Sequence, residues 1–278
     1  MKKSKEKLKL SIIIRCGNDF NGLIKCINSI DESVEIIASV SSSAIFLDKL
    51  KKMGIKATIH SYGNWSNAAE SGIRVSNYNN LIIMDSDSTF GKGSVGLIYE
   101  ALLAGNLVVQ PQIEFGVNST LISRIIRNSR NFENRHEPKA YSPGLGLKKR
   151  ELIEKIGING NIYNIDVKYA DDGNVHKRVK ENNINIFVEP KAKIFHEAIS
   201  LKHELVTAFR LGRGNYQGQV KKRAIYYPLT NEFLKEENLN YLFKICRQCG
   251  FATMVFFILW RFLYRYGYFF ENLNNPKK

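Results

Sequence analysis

The chain has 278 residues, 44% of them hydrophobic, which suits one large domain or a domain with an appendage around an ample buried core. Its 41 Lys and Arg against 26 Asp and Glu give a formal net charge of +15, which favours an anionic partner: nucleic acid, an acidic lipid surface or a phosphorylated substrate. Four cysteines are too few for a disulfide scaffold in a chain of this size, so we expect reduced thiols.

The first nine residues form a basic tail, with lysines at positions 2, 3, 5, 7 and 9. The apolar stretch that follows, Leu10 to Ile14, is too short for the hydrophobic region of a signal peptide and runs directly into polar residues. We therefore expect the protein to be cytoplasmic and peripheral to the inner face of the cell membrane.

Residues 10 to 112 alternate between apolar, strand-like runs and amphipathic, helix-like stretches. The strand-like runs are LSIIIRC, VEIIASV, IKATIHS, NLIIMDSDS and NLVVQPQ. This series predicts βαβ units, and therefore a largely parallel sheet covered by helices. Because ligands of such sheets bind beyond the carboxyl ends of the strands, RCGND and the Asp85/Asp87 pair lie where a binding site is expected.

The Asp85/Asp87 pair admits three interpretations. Polar residues commonly end a buried strand with no further role. The carboxylates could instead hold a divalent cation, since Mg²⁺ and Mn²⁺ prefer oxygen ligands and often share them with substrate phosphates. In the third interpretation Asp85 is the nucleophile and Asp87 the acid/base of a haloacid-dehalogenase-type phosphatase, which carries D-x-D-x-T at a strand end.

The pattern loosens after residue 113. It predicts a helix around Thr120 to Phe132, a loop, and the mixed segment LGLKKRELIEKIG. The stretch YADDGNVHKRV predicts a helix with Asp171 and Asp172 in its first turn, a favourable place for carboxylates. A strand-like stretch, INIFVEPKAKIFHEA, follows and contains His196.

The C-terminal tail differs from the rest of the chain. Its CRQC spacing is typical of metal or redox sites, but no second Cys/His pair accompanies it and it lies in an amphipathic helical pattern. The run FATMVFFILW has only ten residues, whereas a membrane-spanning helix needs about 20. Aromatic residues interleaved with Arg261 and Arg265 favour a helix lying in the membrane interface; packing on the domain or on a second subunit is the alternative.

Four motifs in order, SIIIRCGND, MDSDS, YADDGNVHKRV and IFHEA, resemble the membrane-associated, bacterial-type glycosyltransferases of family 2. The resemblance covers roughly residues 10 to 218 and implies a GT-A fold: α/β, Rossmann-like, with a mostly parallel sheet and flanking helices. The expected organisation is a basic tail (1–9), a GT-A domain (10–220) and a C-terminal amphipathic helical segment (221–278) that associates with a membrane or packs on protein.

The resemblance also implies roles for individual residues. The nucleotide pocket opens at Arg15, Cys16, Gly17 and Asn18. Asp85 and Asp87 form the D-x-D element of the donor site, with Asp87 and His196 as metal ligands. YSPGLGLKKREL shapes the acceptor side, Asp172 is the catalytic base, and Asp171 orients the site.

Two positions depart from the family pattern. Family members usually carry an acidic residue after the second strand to read the nucleobase, whereas here only serines follow, and Ser41 is the candidate donor-binding residue. The usual Arg/Asn pair ahead of the D-x-D element is replaced by Ala69 and Glu70. The identity of the base and one diphosphate contact are therefore unassigned.

Elementary chemistry agrees with these roles. Cleaving a sugar diphosphate builds negative charge on the leaving group, which a cation on Asp87 and His196 would stabilise, and the acceptor hydroxyl must lose a proton to a separate base. The sequence therefore predicts an inverting glycosyltransferase that uses Mn²⁺ or Mg²⁺. Its expected partners are a nucleotide-diphosphate-sugar donor, a glycan or lipid-linked acceptor of surface glycan or glycolipid assembly, and an anionic membrane surface.

Two alternatives stay open. The phosphatase interpretation leaves the N-terminal half and His196 without roles. A non-catalytic protein that binds membrane or nucleic acid would explain the charge, but the sequence shows no nucleic-acid-binding module, so we expect no nucleic-acid partner.

Overall fold

A computed structural model describes residues 7–42, 45–136, 138–218 and 236–275. The basic clusters at positions 2, 3 and 5, at 221 to 223 and at 277 to 278 lie outside the described residues. The described residues divide into two units: those within 1–114 and 138–196 form the first, and those within 115–137 and 197–278 form the second.

The first unit contains all eight strands and six helices of the described chain. The strands are β1 (Leu10–Cys16), β2 (Glu35–Ser41), β3 (Lys56–His60), β4 (Asn80–Asp85), β5 (Ser88–Phe90), β6 (Val108–Phe115), β7 (Leu145–Lys148) and β8 (Ile186–His196). The helices are α1 (Phe20–Asn28), α2 (Leu47–Lys52), α3 (Trp65–Val75), α4 (Ser94–Leu103), α6 (Lys149–Ile156) and α7 (Asp171–Glu181).

The strands form one sheet in the order β3-β2-β1-β4-β7-β6-β8-β5. Strands β1 to β4 are parallel, as the βαβ pattern predicts, whereas β7 pairs antiparallel with β4 and β6, and β5 pairs antiparallel with β8. The sequence predicted β1 to β4 and their parallel pairing, and it also predicted strands at β6 and β8, but it did not predict the antiparallel pairing of β7 and β5. Strand β5 has only three residues, too few to show the alternation of apolar and polar residues that identifies a strand.

The centre of this sheet is apolar on both faces. Residues Ile12, Ile13 and Ile14 of β1 and the run 81–84 of β4 are fully buried, because helices cover a sheet of this kind on both sides. Helix α3 packs closely on β1, where Gly72 leaves room for the side chain of Ile13. The polar residues at the carboxyl ends of β1 and β4 are thereby fixed by the buried strands that precede them.

The second unit is helical. It contains α5 (Leu121–His136), α8 (Leu201–Gln217), α9 (Glu236–Cys249) and α10 (Phe251–Asn274), and α10 contacts the other three. Helix α5 packs on α8, α9 and α10, and α8 packs on α10.

Buried polar contacts hold α10 to its neighbours. Glu204, 1% exposed, accepts hydrogen bonds from Arg130 at 2.8 and 2.6 Å and from the Trp260 indole at 3.1 Å. Gly212 and Gly267 lie where a Cβ atom would overlap the backbone of the facing helix. Helix α10 is thus an integral part of its unit. Among the described helices, none combines the length and the apolar character needed to cross a bilayer.

Candidate active site

Two parallel strands bring the first pair of predicted site residues together. Arg15 and Asp85 are register partners at the carboxyl ends of β1 and β4, although 70 positions separate them in the sequence. The Arg15 Nε donates to Asp85 Oδ1 at 2.8 Å, and Nη2 donates to Asp85 Oδ2 at 3.1 Å. This two-point geometry is the strong form of an arginine–carboxylate pair.

The Arg15 guanidinium also reaches the start of α7. Its Nη1 donates to Asp171 Oδ2 and lies 3.8 Å from Asp172 Oδ1, while Nη2 donates to Ser142 Oγ. The side chain is 5% exposed and its guanidinium lies 5.8 Å from the centre of the Trp65 ring. Arg15 therefore connects Asp85, at the end of β4, to the Asp171/Asp172 pair. All three nitrogen atoms of its guanidinium donate hydrogen bonds in these contacts.

Asp172 is the carboxylate near Arg15 whose pKa is clearly shifted. It accepts hydrogen bonds from Ser142 Oγ at 2.6 Å and from the Ser142 backbone N–H at 3.0 Å, and the Tyr163 hydroxyl lies 3.5 Å away. Burial, and next the charge of Asp171, raise the pKa of Asp172 to about 7, although Arg15 acts in the opposite direction. A carboxylate with a pKa near 7 is suited to accept a proton at neutral pH.

The backbone before this pair is unusual. Ala170, which precedes α7, has a φ of 57° in the left-handed region, a conformation that costs a non-glycine residue roughly 1–2 kcal/mol. Asp171 and Asp172 then occupy the first helical turn, where the helix dipole favours negative charge. Strained backbone of this kind is often retained where it aims functional side chains.

The second predicted pair, Asp87 and His196, is brought together by a different strand contact. Ser88 of β5 is the register partner of His196 at the end of β8, and His196 Nε2 lies 3.6 Å from Asp87 Oδ2. Two atoms bound to one Mg²⁺ or Mn²⁺ at right angles lie about 3 Å apart, given bonds of about 2.1 Å. The pair therefore fits two neighbouring ligands of one cation.

A cation at this place would need further ligands. Among the described residues, no group of three or more His, Cys, Asp or Glu side chains is arranged to hold a metal ion. Asp87 and His196 would thus supply two ligands, and water or substrate oxygens the others, which is the usual way Mg²⁺ is bound.

The other predicted donor-binding residues differ in accessibility. Cys16 is fully buried, its thiol donates to the Asp19 carbonyl at 3.4 Å, and burial raises its pKa to about 11. Ser41, at the end of β2, is also fully buried, whereas Gly17 is half-buried and Asn18 exposed. In this structure the accessible groups of the predicted pocket are therefore at Gly17 and Asn18. All four cysteines are free, as expected.

Two residues of the site, Trp65 and Tyr163, were not singled out by the sequence, and Ser142 was included only as part of the predicted acceptor-side segment YSPGLGLKKREL. Ser142 and Tyr163 contact Asp172, and Trp65 covers Arg15. Glu70 holds the Tyr163 segment by accepting from its backbone N–H at 2.7 Å, and burial raises the pKa of Glu70 to about 7. The turn-forming Ser-Pro-Gly at 142–144 indicates a loop, but neither it nor the predicted acceptor-side role of the segment indicates that Ser142 contacts Asp172.

No known family profile matches the chain, and no curated protein matches it in sequence. Solved structures do match in fold. A structure of S. aureus TarS 1-349 in complex with UDP has a TM-score of 0.51 and 12% identity, covering 97% of this chain and 92% of that one. A structure of TarS 1-349 in complex with UDP-GlcNAc has a TM-score of 0.52 and 13% identity, covering 97% of this chain and 93% of that one. The mixed α/β sheet with flanking helices and C-terminal helices is thus a GT-A-like fold, as the sequence predicted.

Proposed function

We propose that the protein is a metal-dependent, inverting glycosyltransferase that moves a sugar from a nucleotide-diphosphate donor to a hydroxyl acceptor. The observation that carries the proposal is the separation of two acidic sites: Asp172 is linked to Arg15, whereas Asp87 is adjacent to His196. Transfer from a sugar diphosphate needs a proton acceptor and a separate centre for the leaving group. The likeness in fold to a glycosyltransferase that binds UDP-GlcNAc supports this assignment.

In this mechanism Asp87 and His196 would hold Mn²⁺ or Mg²⁺ against the donor diphosphate. The cation supplies charge stabilisation of the departing nucleoside diphosphate. Gly17 and Asn18, at the end of β1, are the accessible groups for the nucleotide.

Asp172 would accept the proton of the acceptor hydroxyl as that oxygen attacks the anomeric carbon. Its pKa of about 7 keeps a substantial fraction unprotonated at neutral pH while leaving it more basic than an ordinary carboxylate. Ser142 fixes the carboxylate with two hydrogen bonds, and Arg15 holds Asp171 beside it. A single displacement with one base inverts the anomeric configuration. We propose a glycan or lipid-linked acceptor in surface glycan or glycolipid assembly.

The structure disfavours the phosphatase alternative. That mechanism requires Asp85 to attack a phosphorus atom, yet Arg15 engages both Asp85 oxygens and the carboxylate is 23% exposed. A carboxylate nucleophile needs an oxygen free to attack phosphorus, whereas Arg15 holds both oxygens of Asp85 in this structure. The non-catalytic alternative gives no reason for the arrangement around Asp172.

The test is a screen of nucleotide-sugars by thermal shift with Mn²⁺, beginning with UDP-GlcNAc, because a ligand that binds only the folded state raises its melting temperature. We expect at least one donor to raise it, and chelation of the metal to abolish the rise. The product of a subsequent transfer, analysed by NMR, should have the inverted anomeric configuration. If no donor binds, and phosphomonoesters are hydrolysed in an Asp85-dependent manner, the proposal is wrong.

A further inference from the structure

The side chain of Tyr163 connects the core of the first unit to Asp172. Its ring is fully buried in an apolar cluster that includes Leu152 of α6 and Val175 and Val179 of α7. A buried phenol hydroxyl needs a hydrogen-bond partner, and Asp172 Oδ1 lies 3.5 Å from this one. Burial, and next the charge of Asp172, raise the pKa of the Tyr163 hydroxyl, so it keeps its proton and donates to the carboxylate.

The peptide unit that carries Tyr163 is held from both sides. Its N–H, on Tyr163, donates to Glu70 Oε1 of α3 at 2.7 Å, and its carbonyl, on Ile162, accepts from Arg178 Nη2 of α7 at 2.6 Å. Glu70 is 1% exposed, and the bond from Arg178 has a charged donor and is therefore of the strong kind. A carboxyl group and a guanidinium thus fix the backbone from which the Tyr163 ring projects.

The start of α3 holds the residues that follow Tyr163. Ser66 Oγ donates to the Val167 carbonyl at 2.7 Å, and Asn64 Nδ2 donates to the Ile165 carbonyl at 2.9 Å. The chain then enters α7, whose first turn contains Asp172. Helix α3 therefore fixes both Tyr163 and the path of the chain towards the proposed base.

The two oxygens of Asp172 have different partners. Oδ2 accepts both hydrogen bonds from Ser142, whereas Oδ1 faces the Tyr163 hydroxyl. A carboxylate has about four acceptor sites, so these three contacts leave about one for an acceptor hydroxyl. The Tyr163 contact is long, but hydrogen bonds at catalytic groups often shorten only when the substrate binds.

We propose that Tyr163 is a positioning residue for Asp172: its hydroxyl holds Oδ1 and favours the ionised carboxylate, and Glu70 keeps the tyrosine in place. The inference rests on the proposed function for the role of Asp172 as base. Glu70 stands where the resembled family usually has part of its Arg/Asn pair. Its contact in this chain is the Tyr163 backbone, so we assign it to support of the base rather than to the donor diphosphate.

The experiment follows the Asp172 carboxyl directly, by ¹³C NMR titration of aspartate-labelled full-length protein, with Asp172→Asn to assign the signal. Tyr163→Phe keeps the buried ring and removes only the hydroxyl. We expect this variant to raise the pKa of Asp172 by about 0.5–1 pH unit, because a donor to a carboxylate favours its charged form. The other charged groups that face Asp172 are unchanged in the variant, namely Arg15 of β1, Asp85 of β4 and Asp171 of α7.

Tyr216→Phe is the matched control. It also removes a hydroxyl from a buried tyrosine, one that donates to the Asn275 carbonyl at 3.0 Å in the second unit. We expect it to leave the pKa of Asp172 unchanged. If Tyr163 only fills the core, Tyr163→Phe should behave like this control, and an unchanged pKa of Asp172 in Tyr163→Phe overturns the proposal.

Two variants of Glu70 test how the tyrosine is held. Glu70→Gln keeps an oxygen for the Tyr163 N–H and should leave the pKa of Asp172 nearly unchanged, whereas Glu70→Ala should raise it as Tyr163→Phe does. Combining Glu70→Ala with Tyr163→Phe should raise it no further than Tyr163→Phe alone, because residues that act through one contact are not additive. A larger shift in the combination would contradict the role given to Glu70. Circular dichroism establishes that each variant is folded, and if Glu70→Ala is not, Tyr163→Phe decides the proposal.

Initial rates of transfer separate this inference from the proposed function. With Asp172 as base, Tyr163→Phe should lower the rate about threefold to tenfold at pH 6 and change it less than about twofold at pH 9, because the inflection of the pH–rate profile moves upward. Equal losses at both pH values with an unshifted pKa would reduce Tyr163 to a support of the fold. If no donor is turned over at any pH, the proposed function fails, and the NMR titration still decides whether Tyr163 holds Asp172.

Discussion

Arg15 and Asp85 are register partners on adjacent parallel strands, and the guanidinium of Arg15 binds both oxygens of the Asp85 carboxylate. The same guanidinium donates to Asp171, which is 156 positions away in the sequence. One buried cation thus faces three carboxylates, two from α7 and one from β4. The arrangement makes Arg15 a positioning residue for Asp172 within the proposed mechanism.

Replacing Arg15 with Gln should destabilise the fold by about 3–5 kcal/mol at pH 8, the usual range for removing one partner of a buried ion pair. The loss should be smaller at pH 5.5. Without the guanidinium, which lowers the pKa of Asp172, that pKa rises further above its unfolded value, so the folded variant binds more protons and its stability falls as pH rises. Urea unfolding at the two pH values measures this, with the exposed Arg150→Gln as control. Equal losses at both pH values would contradict the account.

Arg15→Lys keeps the charge but loses the planar fork. We expect this variant to lower kcat for the proposed transfer at least tenfold, with donor affinity nearly unchanged, because the side chain faces carboxylates in this structure. Calorimetric titration of the donor and initial rates separate the two quantities. A large loss of donor affinity with unchanged kcat would instead support the donor-binding role predicted from the sequence.

Asp172→Asn should leave donor binding near normal and lower the transfer rate by about a hundredfold or more, the usual scale for losing a general base. In the unaltered protein the rate should rise with pH and level off above about 7, because only the unprotonated Asp172 accepts a proton. Its folded pKa exceeds the unfolded value, so its contribution to stability is present at low pH and is lost as pH rises towards 7. A pH–rate profile with no inflection near 7 would remove Asp172 from the mechanism.

Asp87→Ala and His196→Ala should each abolish the Mn²⁺-dependent part of donor binding, and Asp87→Ala should change the melting temperature without ligand little, since Asp87 is 43% exposed. Asp48→Ala and His203→Ala, both at exposed positions, are the matched controls. Titration of the donor with and without a chelator provides the measurement. Full metal-dependent binding by either site variant would show that the cation is held elsewhere.

Gly212→Ala and Gly267→Ala should each destabilise the helical unit by about 1–3 kcal/mol, the range for overpacking a tight contact. The added methyl group would overlap the backbone at Tyr264 in the first case and at Phe209 in the second, and backbone cannot move aside as a side chain can. Gly96→Ala in α4 is the control, because its nearest neighbour is Glu32 Oε1 at 3.5 Å. Thermal unfolding of both variants at or above the unaltered protein would show that α8 and α10 pack less closely.

The sequence alone determined the strands β1 to β4, the helices between them and the placement of Asp85 at a strand end. These are local properties, since periods of two and about 3.6 residues and the polar ends of apolar runs are visible within a short window. It also predicted the GT-A fold through the order of four motifs, each built from such local pieces.

Only the tertiary structure decided which groups meet. The partners of Arg15 come from residues 85, 142 and 171, and no local pattern predicts that a β1 side chain will find an acid at the start of α7. The same holds for α10: it is apolar nearly all round, so its sequence could not say which face packs on α8 and which remains exposed. The ion pairs of Arg15 and the burial of one face of α10 depend on contacts between segments that are distant in the sequence. The spacing of hydrophobic residues within one segment carries no information about such contacts.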